Sequence, residues 1–431
     1  MRRGTGARVA AIAALLALGV TLEAGAAEGA RRHGPTVRVG GQGQLDAASR
    51  RLSRTGGTIV LRPRLYRTLI VSWRAGKRLR IVGMRGTRIE RLVFDGARNV
   101  SVGRVAIRPI RGDALVDIRA SRRIVLHDLV VTAQGTRYRS GIRIPDSRHV
   151  RIRRSDFSHC GDRSPRFAHC VLIWRWASNV VIEDNRFHDC RGCDFVHGRF
   201  GAYLTIRRNS FDRALPCRGM SAHRCGHQDL VQFFAGRHLR VARNHFGVYR
   251  SGGAQLYLTN AVDHATIVNN VFVGTDPRVP GYRARIAMVI GSAASRRLPL
   301  YAKVLNNTVL TGARRKDGYA GSIRMSSQYG RVLRRKRPIV ANNVLGLMRT
   351  RIHVCSAARL FARNVVLEGT RCSASDRLGP AGLDARGRPR RTSSVVDAAL
   401  RRYAPTTDST GRRRAGAPDI GALEYRQTSA S

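Results

Sequence analysis

The chain has 431 residues, of which 43% are apolar and 25% are charged, as in an ordinary globular protein. This apolar content excludes a disordered chain, and 44 Gly with 14 Pro are too few for a collagen-like repeat. With 79 Lys and Arg against 27 Asp and Glu, the formal net charge is +52, which favours an anionic partner: an acidic polysaccharide, a cell-wall polymer or nucleic acid. The alternative interpretation is a solvated, arginine-rich surface without a dedicated ligand.

Residues 1–27 have the pattern of a secretory signal peptide. Basic residues between Arg2 and Arg8 precede an apolar stretch from Val9 to Leu22, and Ala24-Gly25-Ala26 offers small residues for cleavage. The apolar stretch is short for a membrane span, and no later stretch approaches the roughly 18 apolar residues that one needs. We therefore expect a secreted, extracellular protein without a membrane span in the mature chain, and surface association stays open. An uncleaved N-terminal anchor is the alternative.

A short helix and a first strand come next. Leu45 to Leu52 has helical spacing of its apolar residues, and Gly56 to Leu61 has the composition of a strand. The helix is amphipathic, which predicts that it covers the first coil of the structure that follows.

The centre of the chain carries a repeat in which one Asn recurs. Residues 179–187, 203–211, 238–246 and 264–272 match one another, and apolar residues alternate within each copy, as in a strand. The recurring positions are Asn185, Asn209, Asn244, Asn270, Asn307, Asn343 and Asn364. Their spacings of 24, 35, 26, 37, 36 and 21 residues indicate a period of about two dozen residues with insertions.

Such short strands can form a core only by stacking, which predicts an all-β fold: a right-handed parallel β-helix, a single-stranded solenoid with an N-terminal cap helix and an irregular C-terminal cap. Each coil would place the same residue above its predecessor at the ~4.8 Å strand spacing. The stacked Asn side chains would bond to the turns and to one another, which is a structural role. We expect the β-helix with its cap over residues 36–372, a capping segment over 373–425 and a tail over 426–431, in a monomer.

Two segments resemble a known family. Gly56 to Pro63 with Tyr66 resembles the entry coil of pectate-lyase-like right-handed β-helix proteins. The tail, with Gly382 to Pro389, Ser394 to Ala398 and Pro418 to Tyr425, resembles the closing segment of bacterial β-helix proteins with a choice-of-anchor Q ending. The resemblance implies the β-helix fold and export, and the better-known relatives bind polysaccharides or act on them.

Eight cysteines agree with export, because an even number in a secreted chain suggests disulfides. They are Cys160, Cys170, Cys190, Cys193, Cys217, Cys225, Cys355 and Cys372. The repeat spacings predict the pairs Cys160–Cys190 and Cys193–Cys217, and we add Cys355–Cys372. The CxxC of Cys190 and Cys193 would also suit zinc or redox chemistry, but no second close pair completes a zinc site.

Aligning the coils on the recurring Asn gathers polar residues on one strand face. Asp194 and Asp229 are 35 residues apart, as are Asn209 and Asn244, so they share a column of neighbouring coils. The same alignment stacks His197 on Gln232, places Gln255 under Asp229, and places Arg143 in the column of His197 two coils earlier. His227 points to the same side as Asp229 if the segment is extended.

This cluster suits two reactions on an acidic polysaccharide. In a lyase, His197 or His227 would remove the proton next to the uronate carboxylate, and Arg143, Arg175 or Arg199 would neutralise that carboxylate before β-elimination. In a glycoside hydrolase, Asp194 and Asp229 would share the work. The structural alternative is that both Asp residues form another ladder that caps backbone N–H groups.

Aromatic residues near this face add an argument for sugar binding, because exposed rings stack on sugars; the same rings could instead fill the core. The candidate substrate-binding residues are Arg175, Arg199, Gln232, Gln255, Trp174, Trp176 and Tyr257. The sequence supports no cofactor and no metal. Dependence on Ca²⁺ stays open as an alternative, although a Ca²⁺ site is hard to assemble from 27 carboxylates spread over the chain. The leading hypothesis is an exported protein that binds or cleaves an acidic polysaccharide, with lyase ahead of hydrolase. A non-catalytic surface or adhesion protein is second, and nucleic-acid binding is third because no nucleic-acid motif is present.

Overall fold

The computed structural model describes residues 34–108, 114–132, 140–160, 168–215, 228–247, 253–273, 286–292, 297–310, 321–348 and 355–426. The segment predicted as a signal peptide, His227, Cys217 and Cys225 therefore lie outside the described residues. Among the described helices, none combines the length and apolar character that crossing a membrane requires.

The described residues form one α-helix, α1 (Gln42–Leu52), and 32 strands. The first eleven are β1 (Thr36–Val39), β2 (Gly57–Leu61), β3 (Leu65–Val71), β4 (Leu79–Gly83), β5 (Arg88–Asp95), β6 (Arg98–Gly103), β7 (Ala106–Ile107), β8 (Ala114–Arg119), β9 (Arg122–His127), β10 (Val130–Thr132) and β11 (Ser140–Pro145). The next eleven are β12 (Arg148–Arg153), β13 (Asp156–Ser158), β14 (Ala168–Trp174), β15 (Ser178–Glu183), β16 (Arg186–Arg191), β17 (Cys193–Arg207), β18 (Ser210–Leu215), β19 (Val231–Ala242), β20 (His245–Phe246), β21 (Ala254–Asp263) and β22 (Thr266–Val268). The last ten are β23 (Val271–Phe272), β24 (Ile286–Ile290), β25 (Lys303–Leu305), β26 (Thr308–Val309), β27 (Gly321–Met325), β28 (Ile339–Ala341), β29 (Val344–Met348), β30 (Leu360–Ala362), β31 (Val365–Gly369) and β32 (Arg377–Leu378).

All of these strand pairings are parallel, and they form three stacks that we call sheets 1, 2 and 3. Sheet 1 contains β1, β2, β4, β6, β9, β12, β15, the second halves of β17 and β19, β22, β25, β28 and β30. Sheet 2 contains β3, β5, β8, β11, β14, the first halves of β17 and β19, β21, β24 and β27. Sheet 3 runs from the start of β5 through β7, β10, β13, β16, β18, β20, β23, β26, β29 and β31 to β32. Each coil passes through sheet 2, sheet 1 and sheet 3 in turn, which is a parallel β-helix, as predicted.

The interior is filled by apolar residues in register. Phe157, Phe187, Phe211, Phe246 and Phe272 stack on successive coils of sheet 3, with neighbouring ring centroids 4.6, 5.0, 5.1 and 4.5 Å apart. This stack requires equal register in each coil, because a slip of one residue would turn the ring outward.

The recurring Asn residues form a buried ladder at the turn between sheets 1 and 3. In each step, the backbone N–H and the Nδ2 of one Asn donate to Oδ1 of the next, for example from Asn209 to Asn244 at 3.0 and 3.1 Å. Nδ2 of Asn244 also donates to the carbonyl of Ile206. The ladder runs from Asn185 to Asn364 and ends on the carboxylate of Asp376. The Asn residues are structural, as predicted, because they satisfy the backbone of buried turns.

The N-terminal helix lies where the sequence predicts it, but a strand precedes it. In α1, Leu45, Ala48 and Leu52 are buried. Strand β1, which the sequence analysis missed, pairs in parallel with β2. A strand of four residues gives too short a pattern to recognise.

The C-terminal segment, residues 379–426, runs back along the turns that contain the Asn ladder. Its carbonyl groups at Leu400, Thr407 and Ser409 accept hydrogen bonds from side chains of three different coils, those of Asn342, Asn269 and Arg243. The segment therefore covers one edge of the solenoid, and an additional capping role stays a prediction.

The disulfides correct two predicted pairs. The structure pairs Cys160 with Cys170 and Cys190 with Cys193, whereas Cys355–Cys372 is as predicted. Sequence spacing placed Cys193 in the column of Cys217, but a turn at Gly192 (φ 64°) separates Cys193, in sheet 2, from Cys190, in sheet 3. Three disulfides among the described residues are typical of a protein that folds in an oxidising compartment.

Candidate functional site

The candidate site lies on the outward face of sheet 2, in the middle of the solenoid. Strands β14, β17 and β19 are stacked there, with His169 paired to Asp194, Leu172 to His197, and His197 to Gln232. The register continues from Leu172 to Arg143, so Arg143 lies in the column of His197 two coils earlier, as predicted.

Asp194 and Asp229 are vertical neighbours, as predicted from their spacing. The backbone N–H of Asp229 donates to Oδ1 of Asp194 (2.8 Å), and the N–H of Ala254 donates to Oδ1 of Asp229 (2.6 Å). Each carboxylate thus supports the backbone of the next coil. Asp229 is 0% exposed. Its carboxyl group therefore supports the backbone next to the site and does not face a ligand.

The second oxygen of Asp194 points toward two imidazoles. Oδ2 lies 2.9 Å from Nδ1 of His197, in hydrogen-bond contact, and 3.7 Å from Nδ1 of His169. The two imidazole rings are 4.5 Å apart between centroids. His169, Asp194 and His197 form what we call the His–Asp cluster.

Burial and neighbouring charges set the ionisation of these groups. Burial, together with the charge of His197, lowers the pKa of His169 to about 3, so its imidazole is neutral. Burial opposes ionisation of Asp194, but the hydrogen bond with His197 and the charge of that histidine outweigh it and lower the pKa of Asp194. Burial and the charge of Asp194 raise the pKa of Asp229 well above the usual value for Asp.

His169 was missed by the sequence analysis. It lies 25 residues before Asp194 in the chain, whereas Ser155, whose N–H donates to Oδ1 of Asn185 from the preceding coil, lies 30 residues before that Asn. The two intervals differ because each coil has its own insertion between sheet 3 and sheet 2. The sequence signal that could have placed His169 beside Asp194 is an alignment of the short string Ala168 to Val171 with Cys193 to Val196.

A cationic and aromatic surface adjoins the cluster. Arg199, two residues after His197 in β17, points to the same side of the strand. Its guanidinium lies over the rings of Trp174, Phe200 and Phe234, at 5.3, 5.2 and 5.3 Å from the ring centroids. The Nε of Arg199 is buried and has no hydrogen-bond partner among the described residues. Cation–π contacts therefore hold this charge without neutralising it.

Arg143 differs from Arg199 because a carboxylate already binds it. Its Nη2 and Nε donate to the buried carboxylate of Asp117 at 2.6 and 3.2 Å. Arg143 nevertheless lines a cleft of about 540 Å³, together with Leu172, Trp174 and Arg175. The cleft continues the candidate site toward the earlier coils.

The other candidate residues for substrate binding differ in their exposure. Trp176 is 75% exposed, and Arg175 is exposed beside Asp146, with 3.5 Å between Nη1 and Oδ2. Gln232 and Tyr257 follow His197 in its column and are half-buried. Both therefore stay candidates for binding.

The prediction for Gln255 is wrong. Ala254, not Gln255, lies in the column of Asp229, because the interval between these coils is 25 residues. The side chain of Gln255 is 3% exposed, and its Nε2 donates to the carbonyls of Phe246, Gly247 and Val273. Gln255 is therefore a structural residue and not a sugar ligand.

Comparison with known proteins supports the architecture. Residues 92–276 match the family model described as right handed beta helix region. The fold is thus the right-handed parallel β-helix that the sequence predicts. Comparison with curated protein sequences finds no match.

Solved structures with similar backbones have different activities. An alginate lyase from Paenibacillus sp. str. FPU-7 has a TM-score of 0.49 and 12% identity, covering 68% of this chain and 98% of that one. A PL6 family polysaccharide lyase from Pseudopedobacter saltans has a TM-score of 0.47 and 11% identity, covering 91% and 100%. PfbA, a surface adhesin of Streptococcus pneumoniae, has a TM-score of 0.42 and 12% identity, covering 62% and 80%. At such identities, the activities of these proteins do not carry over to this chain.

Proposed function

We propose that the outward face of sheet 2 binds an acidic polysaccharide and cleaves it by β-elimination. The observation that carries this proposal is Arg199, a partly exposed cation that is held on three aromatic rings and has no carboxylate partner among the described residues. A uronate supplies both complements to such a surface: a carboxylate for the guanidinium and a sugar ring for the aromatic side chains.

The neighbouring residues supply what cleavage of a bound uronate requires. β-Elimination needs a cation at the carboxylate and a group that removes the proton on the adjacent carbon. Arg199 and the more exposed Arg175 are the candidate cations, whereas Arg143 is already paired with Asp117. Among the described residues, we assign the contact with the reacting sugar to His197, because it is half-buried and Asp194 holds its ring through a hydrogen bond. His227 remains the second candidate for the proton transfer.

The geometry favours a lyase over a hydrolase. A hydrolase of the usual kind would need two carboxylates that reach the glycosidic bond. Asp229 is fully buried, and its Oδ1 accepts the N–H of Ala254. The pair Asp194 and Asp229 therefore does not provide two carboxylates that face a sugar.

The test is incubation of the purified protein with polygalacturonate, alginate and glycosaminoglycans, with ultraviolet absorbance of unsaturated ends and reducing ends followed together. We expect both signals to rise on one of these polymers, and a loss of at least about a hundredfold in His197→Ala. The matched control is His188→Ala, because His188 in sheet 3 also contacts two carboxylates, those of Asp189 and Asp156.

Each alternative gives a different outcome. Reducing ends without absorbance would replace the lyase by a hydrolase. Binding that Arg199→Ala weakens, with neither signal, would leave a non-catalytic polysaccharide-binding or adhesion protein. Neither binding nor cleavage of any acidic polymer would overturn the proposal.

A further inference from the structure

We propose that His169, Asp194 and His197 form a binding site for one divalent transition-metal ion, of which Zn²⁺ fits best. The sequence analysis did not assign a metal to these three residues. The proposal concerns binding of the ion alone, so it stands whether or not the chain cleaves a polysaccharide.

The donor atoms are already gathered. One ligand atom from each of the three residues lies within 4.8 Å of the other two. Ligand atoms of a zinc ion lie ~2.0–2.2 Å from the metal, so two of them are separated by at most about twice that distance. The His–Asp cluster therefore needs only small side-chain rotations to surround one ion.

The buried imidazole of His169 points to a ligand. His169 is 8% exposed, and its Nδ1 has no hydrogen-bond partner among the described residues. A buried polar nitrogen without a partner is unfavourable unless something else satisfies it. A metal ion satisfies it directly, because neutral imidazole is a metal ligand.

The ligand types select the class of metal. Two imidazole nitrogens with one carboxylate suit Zn²⁺ and neighbouring transition metals, whereas Ca²⁺ and Mg²⁺ prefer sets made of oxygen. Three protein ligands leave at least one position of a tetrahedral zinc site open.

The surroundings of Asp194 fix the ligand carboxylate. The N–H of Asp229 holds Oδ1, which leaves Oδ2 for the ion. Such a hydrogen bond from outside the ligand set orients a ligand and strengthens the site.

A bound ion would change the roles of the cluster in catalysis. An anion such as the carboxylate of a uronate could fill the open position. His197 would then be a ligand, and the proton transfer would pass to another residue, with His227 as the remaining candidate.

The experiment is calorimetric titration of Zn²⁺ into tag-free protein that has been stripped with a chelator, kept oxidised and assayed without any polysaccharide. Oxidised protein is essential because Cys170, Cys190 and Cys193 also lie close together, and their disulfides keep the sulfur atoms from binding metal. We expect one ion per chain, and binding about a hundredfold weaker in both His169→Ala and His197→Ala. His188→Ala is the control and should bind like the unmodified chain.

Co²⁺ gives an independent signal if one of the variants does not fold. Its visible absorption in the folded, unmodified chain should be that of a four- or five-coordinate ion and should disappear in His197→Ala. The proposal is overturned if the folded chain binds no stoichiometric ion, or if both histidine variants bind it as the unmodified chain does. Because both assays omit the sugar, a negative result here leaves the cleavage assay to decide the proposed function separately.

Discussion

The Asn ladder and the column of His169, Asp194 and Asp229 are both buried, polar and stacked in register, yet their side chains are used differently. In the ladder, Oδ1 of each Asn accepts hydrogen bonds from the preceding Asn, as Oδ1 of Asn244 does from Asn209. Its Nδ2 donates to the next Asn and to a backbone carbonyl, here those of Asn270 and Ile206. In the other column, Oδ1 of Asp194 accepts a hydrogen bond from the backbone of the next coil, and Oδ2 contacts Nδ1 of His197. Nδ1 of His169 has no hydrogen-bond partner within the described part of the chain.

The difference shows how to recognise a functional polar column in a solenoid. Stacking alone does not distinguish the two, since both follow the repeat. What distinguishes them is whether the coil above and the coil below satisfy every polar atom. Polar groups that the fold leaves available are the ones that can bind a ligand.

The largest expected effect comes from placing a carboxylate in the ladder. Asn270→Asp removes the donor to Oδ1 of Asn307 and to the carbonyl of Val241, and brings a buried charge against both acceptors. We expect a loss of about 3–5 kcal/mol in the free energy of unfolding, measured by denaturant titration. The control Asn179→Asp, at an exposed position of β15, should change it by less than about 0.5 kcal/mol. Equal effects would mean that the ladder is not a structural element.

The C-terminal segment gives the second test. Arg414 is 4% exposed at its side chain, pairs with the buried Glu424, and donates to Oδ1 of Asn269 at 3.0 Å. Arg414→Met leaves Glu424 buried without its partner, and we expect about 3 kcal/mol of destabilisation. The exposed neighbour Arg413→Met is the control. The C-terminal segment covers the Asn ladder and not the His–Asp cluster, so the folded variant should bind Zn²⁺ as tightly as the unmodified chain. Weaker Zn²⁺ binding would contradict the claim that the two regions are independent.

Arg199→Ala tests the sugar-binding surface next to the cluster. Loss of the guanidinium removes one charge-assisted contact to a carboxylate, so affinity for an acidic polymer should fall about tenfold. Thermal stability should change little. The matched variant Arg151→Ala removes an exposed arginine of sheet 1 that contacts Glu183 at 3.3 Å, and binding should not depend on it. Equal losses in the two variants would mean that net charge alone attracts the polymer.

The smallest effect is expected for Asp229→Asn, which replaces a carboxyl group by an amide, the opposite of Asn270→Asp. The amide keeps an oxygen for the N–H of Ala254 and removes a carboxyl group whose ionisation is opposed by burial and by Asp194. We expect a change of less than about 1 kcal/mol in unfolding free energy, measured as for Asn270→Asp. A loss as large as that of Asn270→Asp would show that the two columns are equally structural.

The sequence predicted the parts of the molecule that repeat. The Asn spacing is a direct consequence of stacking, so it gave the fold, the ladder and the shared column of Asp194 and Asp229. Arg143 also fell correctly in the column of His197, although Leu172 between them was not recognised.

The errors lie where a coil has its own insertion or an extra turn. Gln255 was misplaced by one residue, His169 was missed, and Cys193 was assigned to the wrong sheet because of the turn at Gly192. Counting residues along the chain cannot locate such a turn, and a shift of one residue exchanges inside and outside. The aromatic partners of Arg199 could not be predicted either. The three rings lie far apart in the sequence, and only the folded chain brings them around the guanidinium.

The most direct test of the account is a crystal structure of the chain soaked with an oligouronate. The account predicts sugar density over the outward face of sheet 2, with a carboxylate at Arg199 and a ring against Trp174 or Trp176, within reach of His197. Density on the exposed arginines of sheet 1, such as the stacked Arg98, Arg122 and Arg148, with an empty sheet 2 face, would contradict it.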